Sequence, residues 1–284
     1  MESKDVEGDP AGNDPAGNDP AGLTYAGYLD LDRLLGAQHP RSDRHDELLF
    51  IIQHQVTELW LKLIVHELRS AISLLASDEL QPALKRLARI KHVLRQMFEQ
   101  WAVLETLTPV EYAQFRGHLG SASGFQSLQY RMMEFLLGNK SREILSVFAG
   151  DPDALAVLEA DLGSPSLYDE LLRYLARAGH PVPAGRVERD WEEPCTSSPG
   201  VVEVFRRIYS APEQNWGAYE TAEEFVDVEE AFQLWRFRHV KTVERVIGYK
   251  RGTGGTSGVA FLRQGLEQSL FPELLAVRTE IGAP

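Results

Sequence analysis

Leu48-Leu49-Phe50-Ile51-Ile52-Gln53-His54-Gln55-Val56-Thr57-Glu58-Leu59-Trp60-Leu61-Lys62-Leu63 carries two rows of inward-type residues at once. Leu49, Ile52, Val56, Leu59 and Leu63 recur at steps of three and four, the period of one helix face. Phe50, His54, Thr57 and Leu61 form a second row beside the first. Two such faces predict a helix, about Arg44 to Ala76 with Asp43 as its cap, buried on both sides near the centre of the molecule.

The same period extends outward in both directions. A second long helix is expected to open at Ser77 and to run through Leu84, Leu87, Ile90, Leu94, Met97 and Trp101, with Pro82 in its first turns, where a missing N–H costs little. Thr108-Pro109-Val110-Glu111 has a Thr cap, a Pro at the first helical position and a Glu able to close a capping box. The short helix it starts carries Tyr112, Phe115, Arg116 and Leu119. Gly120-Ser-Ala-Ser-Gly124 interrupts the chain before a helix from Phe125 to Leu137. Shorter helices are expected at about 141–149, 152–162 and 166–178. Four prolines (Pro181, Pro183, Pro194, Pro199) mark 179–200 as a surface excursion. Thr221 and Glu224 are expected to box the start of the last long helix, whose stripe is Phe225, Val228, Phe232, Trp235, His239, Thr242 and Val246. Gly252-Thr-Gly-Gly-Thr-Ser-Gly258 separates it from a final helix at about 259–270. No alternating β-branched run occurs. The fold class is therefore all-α: a bundle of long helices in one domain over 23–284, without a significant β-sheet.

Composition agrees. Of 284 residues, 43% are hydrophobic and 25% charged, ordinary globular usage. Asp9-Pro-Ala-Gly-Asn repeats at Asp14 and again in part at Asp19, so 1–22 reads as a disordered acidic tail. Six acidic residues and one basic residue fall there, leaving −8 of the formal −13 on the body. That sign disfavours nucleic acid. The apolar runs are shorter than the ~20 residues that cross a bilayer, and the opening residues lack a charged-then-apolar leader. A single cysteine, Cys195, fits a reducing compartment. No membrane partner and a cytoplasmic location are expected.

Four features carry chemistry. His239 interrupts an apolar stripe rich in aromatics. An imidazole there is either a hydrogen-bonded core residue or an axial ligand to haem, since bundles hold cofactors on inward side chains. His54 offers the same two readings. If both ligated one iron, the chain would be an electron carrier or sensor; if one did, the other would face a substrate. Tyr112 and Arg116 share a helix face, and a guanidinium fork beside a hydroxyl suits a carboxylate, or else covers an apolar surface. The glycine run at 252–258 follows a helix and lacks a Lys, so it is not a phosphate loop. It is a plain connection or a flap bearing Thr253, Thr256 and Ser257. No His-Glu-x-x-His, paired Glu-x-x-His or Cys cluster points to zinc or di-iron.

Phe50-Ile-Ile-Gln-His54-Gln with Glu58-Leu-Trp-Leu-Lys62, Ser123-Gly-Phe-Gln-Ser-Leu-Gln-Tyr130, Phe232-Gln-Leu-Trp-Arg-Phe-Arg-His239 and Lys250-Arg-Gly-Thr-Gly-Gly255 together resemble the tryptophan 2,3-dioxygenases, from Leu23 to about Thr279. The resemblance implies an all-helical enzyme, usually a homotetramer. It would carry one heme b per subunit in the ferrous form and insert both atoms of O₂ across the indole C2–C3 bond of L-tryptophan. The product would be N-formyl-L-kynurenine, at the first step of the kynurenine pathway. It also implies that His239 is the axial ligand and His54 the distal, catalytic histidine. Phe50, Ile51, Ile52, Gln53, Tyr112, Arg116 and Thr253 would bind substrate, and Tyr25, Tyr28 and Leu29 would complete a neighbouring subunit's pocket. A substituted tryptophan in a biosynthetic pathway would use the same residues. The 1–22 repeat and the 179–200 excursion match no motif of that resemblance.

Overall fold

The computed structural model describes residues 23–282, and the expected tail at 1–22 lies outside them. The chain divides into two compact units, Met1–His39 and Pro40–Pro284. In the first, α1 (Tyr25–Tyr28) is capped by the Thr24 hydroxyl, which accepts from Gly27 N, and α2 (Leu31–Leu35) follows Asp30.

The second unit is built on α3 (His45–Ala76) and α4 (Leu80–Leu104), which pack side by side. After α5 (Pro109–Arg116) come 3₁₀ turns at Gly117–Leu119 and Gly124–Gln126, then α6 (Leu128–Leu137) and a 3₁₀ segment at Arg142–Phe148. The chain continues through α7 (Pro152–Leu162), α8 (Leu167–Arg177), α9 (Ala184–Val187) and α10 (Pro199–Ser210). Last come α11 (Trp216–Ile247), α12 (Val259–Gln264) and α13 (Pro272–Glu280). Helix α11 lies along α4, α6 and α8 cover α3, and α13 packs on α10. Phe225, Val228 and Phe232 of α11 are wholly buried, as are Leu87, Ile90 and Leu94 of α4. No strand occurs among the described residues, and the all-α expectation holds.

Several boundaries differ from the sequence reading, each for a local reason. Asp43 does not cap α3. Arg44 is its N-cap, and the Glu47 carboxylate reaches back to accept from Arg41 N, Ser42 N and the Ser42 hydroxyl. Ser77 ends α3 instead of opening α4, because Asp78 turns the chain at φ 61°. The Thr108–Glu111 capping box forms as expected. The helix expected from Phe125 starts later, at Leu128, because Gly124–Gln126 forms a 3₁₀ turn and Ser127 caps α6. Thr221 and Glu224 make no box: the Thr221 hydroxyl donates to Gly217 O within α11, and Glu224 pairs with Lys91 of α4 at 2.8 Å. Helices α10 and α13 are additional to the expected set. Both carry Pro in the first turn, Pro199 and Pro272, where a helix tolerates it.

The largest departure concerns α3. Its apolar row does not end up buried on both sides: Leu48, Ile52 (44% exposed), Val56 and Leu59 (49% exposed) remain open on the single chain, while Leu61, Ile64, Leu68 and Leu75 are buried. By length and mean hydropathy alone this helix could cross a bilayer, yet α4, α6 and α8 pack along it.

Candidate active site

Helices α3, α5, α6 and α11, together with the loops at 119–127 and 252–258, enclose a cavity of about 1150 Å³. Small-molecule sites commonly occupy ~300–1,000 Å³, so this one exceeds the needs of one amino acid. Phe50, Gln53, His54, Tyr112, Arg116, Thr253 and His239 all line it. The sequence places these residues on three helices and a loop; the fold gathers them. Ile51 and Ile52 do not line the cavity, because the helical period turns them away from Phe50 and His54. Tyr25, Tyr28 and Leu29 belong to the N-terminal unit, where the two rings are 76% and 74% exposed.

His54 sits one turn below Phe50, and its Nδ1 lies 2.7 Å from the Phe50 carbonyl oxygen. A carbonyl only accepts, so Nδ1 carries the hydrogen and the neutral ring presents a bare Nε2 lone pair. Burial pushes the His54 pKa below the ordinary 6.5, with the Phe50 bond opposing. The cavity therefore holds an imidazole suited to accept a hydrogen bond. Phe50 lies against that ring, tilted by 40° with centroids 4.1 Å apart, and neighbours Tyr112 and Phe115 at 5.7 and 5.6 Å, building an aromatic wall.

His239 comes from α11. Its ring lies parallel to Trp101 at 4.8 Å and close to Trp235 at 5.9 Å. It makes no hydrogen bond to any described residue. Burial and the neighbouring His54 push its pKa down to about 4, so it presents a neutral lone pair, the form that binds a metal. No group of three His, Cys, Asp or Glu side chains stands ready to hold a bare ion among the described residues.

Arg116 lies beside the Tyr112 hydroxyl, whose pKa is raised by burial and drawn back by the guanidinium. Its Nη2 donates to the carbonyl of Arg251 at 2.5 Å, and the Thr253 hydroxyl donates to Ala122 O at 2.6 Å. These two bonds pin the glycine loop against the 116–127 segment. Gly254 is needed for the contact: a Cβ there would meet Ser123 Cβ at 2.7 Å. Gly258, at φ 65°, would set a Cβ 2.6 Å from Lys250 O. The loop is thus a flap seated over the cavity. Thr256 serves the flap itself, accepting from Gly258 N at 3.4 Å.

Other lining residues escaped the sequence reading. Glu58 follows His54 by one turn; burial raises its pKa against a hydrogen bond from Ser127. Tyr130, Arg131, Glu134 and Arg236 form a polar wall between α6 and α11. The available signal was an arginine set inside the aromatic stripe Phe232–Trp235–His239.

Fold and site together define an all-helical enzyme whose cavity is lined by two inward imidazoles, His54 and His239. The chain belongs to the tryptophan 2,3-dioxygenase family, whose sequence model matches residues 11–159 and 199–281. The match begins inside the N-terminal repeat and leaves out 160–198, which spans α8, α9 and most of the proline-rich excursion. A tryptophan 2,3-dioxygenase of Saccharopolyspora erythraea is 62% identical over 261 residues, covering 91% of this chain and 93% of its own length. Proteins of the same name from Kineococcus radiotolerans and Serratia proteamaculans are 59% and 57% identical over 263 residues. Each alignment spans 92% of this chain, and 92% and 94% of the relatives' lengths.

Proposed function

We propose that this protein is a dioxygenase that cleaves the indole C2–C3 bond of L-tryptophan with O₂, both oxygen atoms entering the product N-formyl-L-kynurenine. The observation that carries this reading is the meeting of His54, Tyr112, Arg116 and Thr253 in one cavity that also receives the unpartnered His239. Family membership supports the same reaction.

The residues fit a haem. His239 is a neutral imidazole without a hydrogen-bond partner among the described residues, packed against two indoles in a cavity too large for the amino acid alone. When bound, haem supplies the redox-active iron that activates O₂. His239 would hold the haem iron, and the Trp101 ring stacked on it sets the plane of its imidazole.

The chain's own groups bind and orient the substrate. The His54 Nε2 lone pair accepts the indole N–H, Phe50 packs on the indole, and Arg116 with Tyr112 takes the carboxylate. Thr253 meets the carboxylate and ammonium end. His54 positions the ring and is not an obligatory base. Arg116 spends one of its five N–H donors on the Arg251 carbonyl, so the guanidinium that takes the carboxylate also holds the flap, and substrate binding and flap position are linked. The closed flap keeps water from the reacting atoms.

The exposed row Leu48, Ile52, Val56 and Leu59 and the exposed Tyr25 and Tyr28 support assembly into a homotetramer. In that assembly the N-terminal unit completes a neighbour's pocket with Tyr25, Tyr28 and Leu29. A cytoplasmic site fits a chain with one cysteine.

The test is aerobic turnover of reduced, haem-loaded protein with L-tryptophan, followed through the formylkynurenine absorbance. Prompt product supports the assignment. Red protein that binds CO yet makes no product from L-tryptophan overturns it.

A further inference from the structure

The wall between α6 and α11 holds more positive charge than its own carboxylate balances. Arg131, Glu134 and Arg236 are 8%, 6% and 5% exposed. Arg131 Nη1 donates to Glu134 Oε2 at 2.5 Å, and Arg236 Nη2 donates to Glu134 Oε1 at 2.7 Å. Asn139 Nδ2 adds a third bond to Glu134, 3.0 Å from Oε1. Two guanidiniums thus share one carboxylate, which leaves a net +1 out of water. An uncompensated buried charge is costly unless a counter-charge reaches it.

No other carboxylate of the cavity supplies that counter-charge. Glu58 and Glu143, the other carboxylates that line it, make no ion pair with either guanidinium, and Glu143 is an exposed residue. The donors, moreover, are not exhausted. Arg131 uses Nε and Nη2 on the Phe125 carbonyl, at 3.4 and 3.3 Å, besides Nη1 on Glu134. Arg236 uses Nε on the Tyr130 hydroxyl at 3.2 Å, Nη1 on Gly265 O at 2.8 Å, and Nη2 on Glu134. Of five N–H bonds, each guanidinium retains two. The Tyr130 hydroxyl accepts from Arg236 and keeps its own hydrogen to donate. Both cations are held in place by rings, Arg131 over Phe125 at 4.7 Å and Arg236 over Phe232 at 4.1 Å. All three of Tyr130, Arg131 and Arg236 line the cavity.

We infer that this cluster is an anion seat for the cofactor: Arg131, Arg236 and the Tyr130 hydroxyl hold a propionate carboxylate of the haem. This rests on the haem reading above. It assigns the carboxylate to the cofactor and not to the substrate, because Arg236 stands three residues before His239 on the same helix. Side chains spaced three apart on a helix are neighbours, so a group ligated by His239 lies next to Arg236. The substrate's guanidinium, Arg116, comes from α5 and the flap side. Glu134 is then a holder, keeping the two guanidiniums side by side while leaving the seat positive.

The experiment compares protohaem with haem dimethyl ester, which has the same ring and iron but no carboxylate charge. Each is loaded into the full chain, and its loss to an excess of apomyoglobin is timed by the Soret band. Arg236→Met and Arg131→Met should each speed protohaem loss by about tenfold to a hundredfold, as for a lost hydrogen bond to a charged group. Loss of the ester should change less than about threefold. Glu134→Gln, which raises the local charge, should slow protohaem loss relative to the ester, a sign that a purely structural role does not produce. Equal acceleration of both haems in the arginine variants, or wild-type protein that holds both haems equally, overturns the anion seat while leaving haem binding intact. Wild-type protein that takes up neither, judged by an unshifted Soret band, overturns the haem reading itself and the seat with it.

Discussion

Gly254→Ala is the sharpest test of the flap. A Cβ built on Gly254 falls 2.7 Å from Ser123 Cβ and 2.8 Å from Ser123 Oγ, too close to persist. Ser123 does not swing aside freely: its hydroxyl accepts from Phe125 N, and its N–H donates to Gln126 Oε1, both at 3.3 Å. The flap must give way instead. Its two ties lie just before the new methyl in sequence, Thr253 to Ala122 O at 2.6 Å and Arg116 to Arg251 O at 2.5 Å. Overpacking of this kind costs about 1–3 kcal/mol, which shifts the closed-to-open ratio by roughly 5- to 150-fold. Because Thr253 and Arg116 are also the proposed substrate contacts, KM for L-tryptophan should rise by a factor in that range, with haem content unchanged. The control is Ser123→Gly in the Gly254→Ala background. It removes both obstructing atoms at the cost of a few tenths of a kcal/mol in capping, and should restore most of the affinity, giving a coupling energy of compensating sign. An unaltered KM in Gly254→Ala, or a double variant no better than the single, would refute the close approach as the determinant of closure.

Three other outcomes follow from the same geometry. In the proposed role His54 works through an unprotonated Nε2, and burial lowers its pKa. Acid puts a proton on that atom and turns the acceptor into a donor, so kcat/KM should stay level at neutral pH and fall only below about pH 6.5. His54→Ala should retain partial activity and lose that limb; a limb centred above 6.5 contradicts the assignment. Arg116→Met should raise the Kd for L-tryptophan about tenfold or more, measured by substrate-induced spectral change, since a carboxylate then lacks its guanidinium. Unchanged affinity removes Arg116 from the site. Ile52→Lys with Leu59→Lys should reduce the assembly to smaller species by light scattering, with helicity retained, because two charges then occupy the exposed row; an unchanged mass places the subunit contact elsewhere.

The sequence by itself determined what depends on local period and capping. The three- and four-residue spacing of α3, α4 and α11, and the Thr108 box that starts α5, were legible because helix formation is decided within a few turns. The His54 tautomer is nearly as local, since its carbonyl partner is one turn away. Long matching motifs carry the family resemblance. Tertiary structure alone decided three things. It left Ile52 and Leu59 in the open, because periodicity identifies an apolar face but not what covers it. It set Gly254 against Ser123, 131 positions earlier, a contact no local rule contains. It brought Arg236 to Glu134, 102 positions away in sequence and already paired with Arg131, placing a surplus charge on the cavity wall. Net burial of charge is a property of neighbours in space, and only the folded chain supplies them.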